Sequence, residues 1–222
     1  MTSEKTLPTI AVLGGTGKEG PGLAMRWAIA GYKVIIGSRQ LEKAQRIAQE
    51  LNQRLNINTI TGLANQDAAR HAKISVLTVV ATAHQPALHG LVDALQGKIL
   101  VDATARVDFR DPHPPEPPAA ARTAQQILGS SVRVVAAFQN VPAHKLRQNL
   151  YQPLDTDVMV CADDSDAAEQ IMKLAEMGGM RAYYAGNLDN ALIVEGLTAL
   201  LISMNKYYSV KTASIGISGI EG

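Results

Sequence analysis

Short apolar runs alternate along the chain with stretches whose apolar residues recur at helical spacing. The runs are rich in β-branched residues and predict buried strands at residues 9–13, 33–37, 57–61, 74–79, 98–102, 132–137, 157–161 and 181–184. The intervening pattern predicts helices at residues 21–30, 41–51, 66–72, 86–95 and 119–128, one from about residue 164 and one from about residue 187. Such alternation predicts an α/β fold, a doubly wound parallel sheet with helices on both faces.

Two features interrupt the regular alternation of strands and helices. The helical share rises in the last third of the chain, so we predict a nucleotide-binding domain at residues 1–145 and a smaller, more helical C-terminal domain at 146–222, with a soft boundary between 140 and 155. Residues 111–121 hold five of the ten prolines and must form a loop, because proline lacks the backbone donor of helices and sheets. This loop is either a flap over a site or an excursion without function.

Charge and composition indicate which kinds of molecule the protein binds. The 222 residues include 21 Lys and Arg against 20 Asp and Glu, for a formal net charge of +1. No overall basic field exists to hold a nucleic acid or an anionic membrane, so we expect small-molecule partners and locally built anion sites. The apolar stretch at residues 191–204 is interrupted by Glu195 and is shorter than the ~20 residues that span a bilayer. It predicts a buried helix or the interface of a homo-oligomer.

The single cysteine and the first residues indicate the compartment. Cys161 has no partner for an internal disulfide, and a zinc site based on cysteine is disfavoured, so we expect no metal. The first residues, Met1–Lys5, lack the basic and apolar regions of a secretory signal. Both observations favour the cytoplasm.

A glycine-rich turn between the first strand and the first helix predicts a dinucleotide site. Its sequence is Gly15, Thr16, Gly17, Lys18, Glu19 and Gly20, which is G-x-G-x-x-G in the strand-turn-helix context that a Rossmann-type fold requires. The helix N-terminus then offers unpaired N–H groups to the phosphates. A Walker-type loop is excluded, because Glu19 stands where Ser or Thr would follow the lysine. The alternative is a glycine-rich turn without a ligand.

The end of the second strand distinguishes NADP from NAD. A carboxylate there would bind the ribose 2′-hydroxyl, but this chain has Ser38 and Arg39, with Lys43 one helical turn later. A hydroxyl and two cations suit a 2′-phosphate, so the sequence predicts NADP. The alternative is a solvated helix start, although cations there oppose the helix dipole.

No general acid or base stands out. The five histidines form no metal-like cluster, each suits a surface or packing role, and no Tyr-x-x-x-Lys pair lies near the predicted site. A reaction that needs positioning alone is therefore attractive, namely direct hydride transfer between two bound cofactors.

Motifs distributed over nearly the whole chain resemble the NADPH-dependent coenzyme F420 reductase family, also called F420H2:NADP oxidoreductases. They are Ile10–Gly17, Ile36–Arg39 with Lys43, Val76–Val79, Val141–Ala143, Val158–Asp164 and Val194–Thr198. The segment Asn140–Thr198 is the specific part, since a generic Rossmann fold does not explain it.

The resemblance implies reversible hydride transfer between C4 of the nicotinamide and C5 of the F420 deazaflavin, in a homo-oligomer. It implies that Thr16, Gly17, Lys18 and Glu19 line the pyrophosphate, that Ser38, Arg39 and Lys43 hold the 2′-phosphate, and that Val79 and Ala143 contact NADP. It places Gln139, Val141 and Ile215 beside the deazaflavin. Many members carry a proline and an aromatic residue after the position of Thr78, where this chain has Val79, Val80 and Ala81, and archaeal relatives resemble His-Thr at 139–140.

Two other functions remain open. An NADPH-dependent imine or flavin reductase would share the nucleotide domain but would need a proton donor or a different second domain. A regulatory protein that senses NADPH without turnover would share the glycine turn and would transmit the signal to a partner.

Overall fold

A computed structural model describes residues 7–220, so the prediction made for Met1–Lys5 lies outside the described residues. Its eight strands form one sheet in the order β3-β2-β1-β4-β5-β6-β7-β8. The strands are β1 (Ile10–Leu13), β2 (Val34–Ser38), β3 (Ile60–Ala64), β4 (Ile74–Leu77), β5 (Ile99–Asp102), β6 (Arg133–Ala136), β7 (Asp157–Ala162) and β8 (Arg181–Tyr184). The mostly parallel, doubly wound α/β architecture predicted from the sequence is confirmed.

The direction of one strand departs from the prediction of a wholly parallel sheet. Strands β1 to β6 pair in parallel, but β7 pairs antiparallel with β6 through Ala136 and Cys161. A parallel pair needs a crossover connection, usually a helix. The segment between β6 and β7 holds only a 3-10 turn at Lys145–Arg147, so the chain re-enters the sheet in the opposite direction. Strand β8 is again parallel to β7.

The helices follow the predicted order with shifted boundaries. They are α1 (Gly20–Ile29), α2 (Leu41–Leu55), α3 (Asn65–His71), α4 (His84–His89), α5 (Val92–Leu95), α6 (Ala120–Leu128), α7 (Ser165–Met177) and α8 (Ala191–Tyr207). The single helix predicted at 86–95 is two helices, because Gly90 ends α4. Strand β3 begins at Ile60, three residues later than predicted, where the Asn52 side chain bonds both the N–H and the carbonyl of Ile60.

The core lies in two layers, one on each face of the sheet. Helices α1, α2 and α7 cover one layer, and α3 to α6 with α8 cover the other. The sheet runs across residue 145 without interruption, so β7 and β8 extend the sheet that holds the glycine turn, and the division into two domains stays a prediction. Cys161 is buried in β7. Within residues 7–220, no helix is long and apolar enough to cross a membrane.

Candidate cofactor site

The turn after β1 is built from glycines that the packing of the protein itself demands. Gly14 has φ +68°, and a Cβ there would lie 2.6 Å from Val79 Cγ1. A Cβ on Gly15 would lie 2.5 Å from the Val12 carbonyl oxygen, and one on Gly20 would lie 2.6 Å from Gly15 Cα. Larger residues at Gly15 or Gly20 would therefore push the start of α1 away from β1.

Gly17 differs, because the protein leaves open space beside it. The nearest atom to a Cβ built there is the Gly14 carbonyl oxygen at 3.8 Å, and Gly17 is exposed without a left-handed backbone. Neither packing nor conformation requires glycine, whereas the close approach of a phosphate does. Helix α1 begins at Gly20 without a side-chain cap. Pro21 has no N–H and the N–H groups of Gly22 and Leu23 bond the Glu19 carbonyl, so the Gly20 N–H is the group of this first turn that is left for an anion. The turn therefore fits a pyrophosphate.

Two side chains that the sequence pattern did not reveal hold this turn. The Asn65 Oδ1 accepts a hydrogen bond from the Gly14 N–H at 3.1 Å. The Arg147 Nη2 donates to the carbonyl oxygens of Gly17 and Lys18. In a trans peptide the N–H points away from the carbonyl, so the N–H groups that follow these carbonyls face the side opposite Arg147. Asn65 directly follows a strand, which is a usable signal, but nothing in the sequence marks Arg147.

The Glu19 carboxyl lies at the start of α1 in an unusual environment. Its Oε1 is buried and has no hydrogen-bond partner in the part of the chain that the structure describes. Burial raises the pKa of this carboxyl to about 8. At pH 7 it is therefore mostly neutral and does not repel a phosphate at the turn.

Local positive charge lies where β2 meets α2. Ser38 is buried, and its Oγ accepts from the Gln40 N–H at 3.1 Å, which leaves the hydroxyl hydrogen free to donate. Arg39 and Lys43 are exposed and form no ion pair with any residue within 7–220. Helix α2 begins at Leu41 without a side-chain cap. Two unneutralised cations and an uncapped helix start suit a bound phosphate.

The loop after β4 lies beside the glycine turn. Half-buried Val79 packs over the glycine turn, as its contact with the Gly14 position shows. The next residue, Val80, is 70% exposed. The loop therefore presents Val79 beside the glycine turn and then opens to solvent.

The turn after β6 carries buried polar atoms without partners. Phe138 has φ +75°, a conformation that is strained for a bulky residue and that turns the chain into Gln139. Gln139 is 8% exposed and Asn140 3%, yet Gln139 Oε1 and Asn140 Oδ1 have no hydrogen-bond partner in the described chain. The Thr198 hydroxyl of α8 donates to the Gln139 carbonyl at 3.0 Å. Buried acceptors of this kind suit the polar edge of a ligand ring.

The C-terminal tail lies against the same turn. The Asp157 N–H donates to the Ile215 carbonyl at 2.9 Å, and the Asp157 carboxylate accepts from Ile217 N–H and from the Arg181 guanidinium. The Asn140 Nδ2 donates to the Asp157 carbonyl at 3.1 Å. Asp157 thus brings the half-buried Ile215 close to the 139–141 turn.

Two further predicted residues belong to this turn. Val141 is 6% exposed, and its N–H bonds the Phe138 carbonyl, which closes the turn. Ala143 is half-buried and lies just before the 3-10 turn that carries Arg147. The residues assigned to F420 therefore share one edge of the sheet with the glycine turn.

Comparison with known proteins identifies the family. A family model described as NADP oxidoreductase coenzyme F420-dependent matches residues 9–106. An F420-dependent NADP reductase from Methanothermobacter thermautotrophicus is 40% identical over 221 residues, which are 95% of this chain and 95% of that protein. The chain belongs to the F420-dependent NADP reductase family. A second reductase of this name, from Methanocaldococcus jannaschii, is 39% identical over 96% of this chain and 99% of its own.

A solved structure agrees with this membership. A crystal structure from Arthrobacter sp. FB24, described as a candidate F420-dependent NADP reductase, superposes with a TM-score of 0.78 at 26% identity, covering 96% of this chain and all of the other. The family model spans the glycine turn, Arg39 and Val79 but ends before Gln139. The relatives of the F420-dependent NADP reductase family match both halves of the chain.

Proposed function

We propose that the protein transfers a hydride reversibly between NADP(H) and the deazaflavin coenzyme F420. The observation that carries this function is the 40% identity, over nearly the full length of both chains, to an F420-dependent NADP reductase. The local chemistry supports the NADP part independently, because the exposed Arg39 and Lys43 follow the end of β2, where the Gly37 carbonyl accepts a hydrogen bond from the Gly15 N–H of the glycine turn. No observation favours an imine reductase, a flavin reductase or a sensor.

The glycine turn and the β2 end bind NADP(H) in this proposal. The N–H groups of residues 16–19 hold the pyrophosphate. The Glu19 carboxyl is mostly neutral at pH 7 because burial raises its pKa, and it does not repel the pyrophosphate. Ser38, Arg39 and Lys43 hold the 2′-phosphate by charge-assisted hydrogen bonds. Val79 and Ala143 line the nicotinamide site.

The turn after β6 and the C-terminal tail hold the deazaflavin. Val141 and Ile215 provide apolar surface for the flat ring, and Gln139 offers its unpartnered buried amide oxygen to a ring N–H. The ring supplies an electrophilic C5 that accepts the hydride when F420 is bound. The protein contributes the positioning of the two rings and the exclusion of water between them.

The exposed face of α8 suits a second copy of the chain. Ile193, Leu200, Met204 and Tyr207 lie on one stripe of this helix, and their exposed fractions range from 41% to 82%. A stripe of this kind on a monomer marks an interaction surface. We propose a homo-oligomer through α8, in the cytoplasm, where NADPH and a reduced cysteine both belong.

A direct assay tests the function. Purified protein is mixed with NADPH and F420, and the absorbance of the oxidised deazaflavin is followed. We expect it to fall with NADPH and far more slowly with NADH. Consumption of NADPH with an imine or a flavin, but not with F420, would contradict the proposal, and so would cofactor binding without any turnover.

A further inference from the structure

The side chains of His84 and Asp102 form a buried pair to which the proposed function assigns no role. The His84 Nε2 lies 2.6 Å from the Asp102 Oδ2, and the two side chains are 3% and 0% exposed. The other carboxylate oxygen of Asp102 accepts the Thr104 N–H at 3.0 Å. Since a carboxylate only accepts, Nε2 carries its hydrogen toward Asp102. Nδ1 is then the nitrogen that can gain or lose a proton, and it bonds no atom of residues 7–220.

The pair lies between the two regions assigned to the cofactors. Asp102 is the last residue of β5, and it pairs with Leu77 of β4 on one side and with Ala136 of β6 on the other. The loop after β4 carries Val79 and leads directly into His84. The turn after β6 carries the residues proposed to border the deazaflavin. The carboxyl ends of these three neighbouring parallel strands lie at one edge of the sheet.

His84 also borders a polar cavity. The cavity has a volume of about 190 Å³, and its walls include Thr82, His84, Gln85, Arg106 and Thr123. This volume admits water, which gives a proton a route between the imidazole and the solvent.

Charged groups of two other elements lie next to the imidazole. Asp102 bonds it directly, and Arg106 lines the cavity. The Arg106 Nε lies 2.7 Å from the Oε1 of Glu195, a residue of α8 that is 1% exposed. Glu195 neutralises Arg106 and lies one helical turn before Thr198, which bonds the Gln139 carbonyl. The same helix therefore supports both the cavity wall and the turn after β6.

We propose that His84, oriented by Asp102, carries the proton that accompanies the hydride, an assignment that rests on the proposed function. The C4–H bond of NADPH breaks, and its electron pair and hydrogen form a C–H bond at C5 of the deazaflavin. NADPH is thereby oxidised to NADP⁺, and the reduced deazaflavin takes one proton at N1. The imidazolium N–H bond at Nδ1 breaks to release that proton, through water in the cavity where needed. The neutral imidazole then regains a proton from the solvent, and the reverse reaction runs the same steps backwards.

The first test replaces His84 with glutamine, whose amide still donates to Asp102 but carries no transferable proton. We expect His84→Gln to lower the rate constant of F420 reduction at pH 7 by about 100-fold, within the range of general acid catalysis. The solvent deuterium isotope effect and the dependence of the rate on pH in the wild type should disappear in the variant. The Kd of NADPH, measured by protein fluorescence without F420, should stay within about twofold of the wild type.

Matched variants separate proton transfer from folding. His89→Gln changes an exposed histidine of the same helix α4 and should leave the rate unchanged. In His84→Ala, added imidazole should restore part of the rate, which a merely structural role would not allow. A wild-type rate and pH profile in His84→Gln, or an NADPH Kd that worsens as much as the rate falls, would overturn the role of His84.

A measurement on the ligand-free protein checks the tautomer. In ¹⁵N-histidine NMR, His84 should carry hydrogen on Nε2, and Asp102→Asn should change this pattern. Hydrogen on Nδ1 with Nε2 bare would overturn the proposal. Absence of F420 reduction by the wild type would instead overturn the proposed function, so the two failures are distinguishable.

Discussion

The NADP side and the F420 side of the candidate site are assembled in opposite ways. The NADP side is built mainly from residues 14–43, a stretch of strand, turn and helix in which a Cβ added to Gly15 would lie 2.5 Å from the Val12 carbonyl oxygen. The F420 side joins the turn after β6, the start of β7, helix α8 and the C-terminal tail through long-range hydrogen bonds, such as Thr198 to Gln139 and Ile217 to Asp157. Cofactor binding at the NADP side should therefore be lost when a local substitution creates a steric clash. Binding at the F420 side should be weakened when one hydrogen bond between residues far apart in the chain is removed.

The largest effect should come from Gly20→Ala. The new Cβ would lie 2.6 Å from Gly15 Cα, and overpacking of this kind lowers the free energy of unfolding by ~1–3 kcal/mol. NADPH binding should be lost with it. Chemical denaturation and NADPH fluorescence titration measure the two effects.

Gly17→Ala is the control for Gly20→Ala. Its Cβ meets no protein atom closer than 3.8 Å, so the stability should be unchanged. The Kd of NADPH should still rise by about tenfold or more, because each lost hydrogen bond to a charged group costs ~1.5–3 kcal/mol. A normal affinity of Gly17→Ala for NADPH would show that the pyrophosphate does not bind at the glycine turn.

Arg39→Ala should have the next largest effect. Loss of a charge-assisted contact to the 2′-phosphate should raise the KM of NADPH about 10- to 100-fold, while the KM values of NADH and F420 change little. Steady-state kinetics with the three substrates measure this. Arg46→Ala removes a charge from α2, the helix that follows Arg39, where Arg46 faces Glu50, and should change none of them. An equal rise for NADPH and F420 would count against the 2′-phosphate role.

Asp157→Asn tests the F420 side alone. The neutral side chain weakens the contacts to Arg181 and Ile217 that hold the tail, so the KM of F420 should rise by several-fold, on the order of one lost charged hydrogen bond. The Kd of NADPH should not change. Asp163→Asn, at the opposite end of β7, is the matched control and should leave both constants unchanged. Parallel losses of both cofactors in Asp157→Asn would show that the two sides are not independent.

The effect of Glu19→Gln on stability should depend on pH. The pKa of Glu19 is raised from 4.5 to about 8 in the folded protein, so the native state binds more protons than the unfolded state between these values. The stability contributed by this group therefore falls as pH rises from about 4.5 to 8. Glu19→Gln should remove this slope, and its Tm should exceed that of the wild type increasingly toward pH 8. Identical pH profiles of Tm would mean that the Glu19 carboxyl is solvated.

Glu19→Gln should also change NADPH binding at alkaline pH. Ionised Glu19 would repel the pyrophosphate, so the wild-type Kd should worsen above pH 8 while that of the variant stays flat. Fluorescence titrations at pH 6.5 and 9 compare the two proteins.

The same contrast explains how much the sequence could reveal. The glycine turn and the Ser38–Arg39 corner are predictable because their residues are close in the chain, and a local spacing encodes their geometry. The contact from Arg147 to Gly17 joins residues 130 positions apart, and the tail contact to Asp157 joins residues 60 apart. No local pattern encodes such contacts, so Arg147 was not predicted, and the turn after β6 and Ile215 could be assigned only through family resemblance.

The direction of β7 and the His84–Asp102 pair could not be predicted from the sequence, and each has a physical reason. The direction of β7 depends on the absence of a crossover helix after β6, and strand patterns carry no sign of direction. No sequence signal distinguishes His84 from the other histidines. It begins α4, and its partner Asp102 lies 18 residues later at the end of β5, so only the fold brings the two side chains together.

The most direct test of the central claim follows the hydride itself. NADPH deuterated at one face of C4 is mixed with F420 and enzyme for a single turnover, and the reduced deazaflavin is analysed by NMR and mass spectrometry. If the two cofactors bind side by side, one of the two deuterated faces should yield deuterium at C5 without loss to water. Washout of deuterium from both faces into the solvent, or no reduction of F420, would contradict direct transfer.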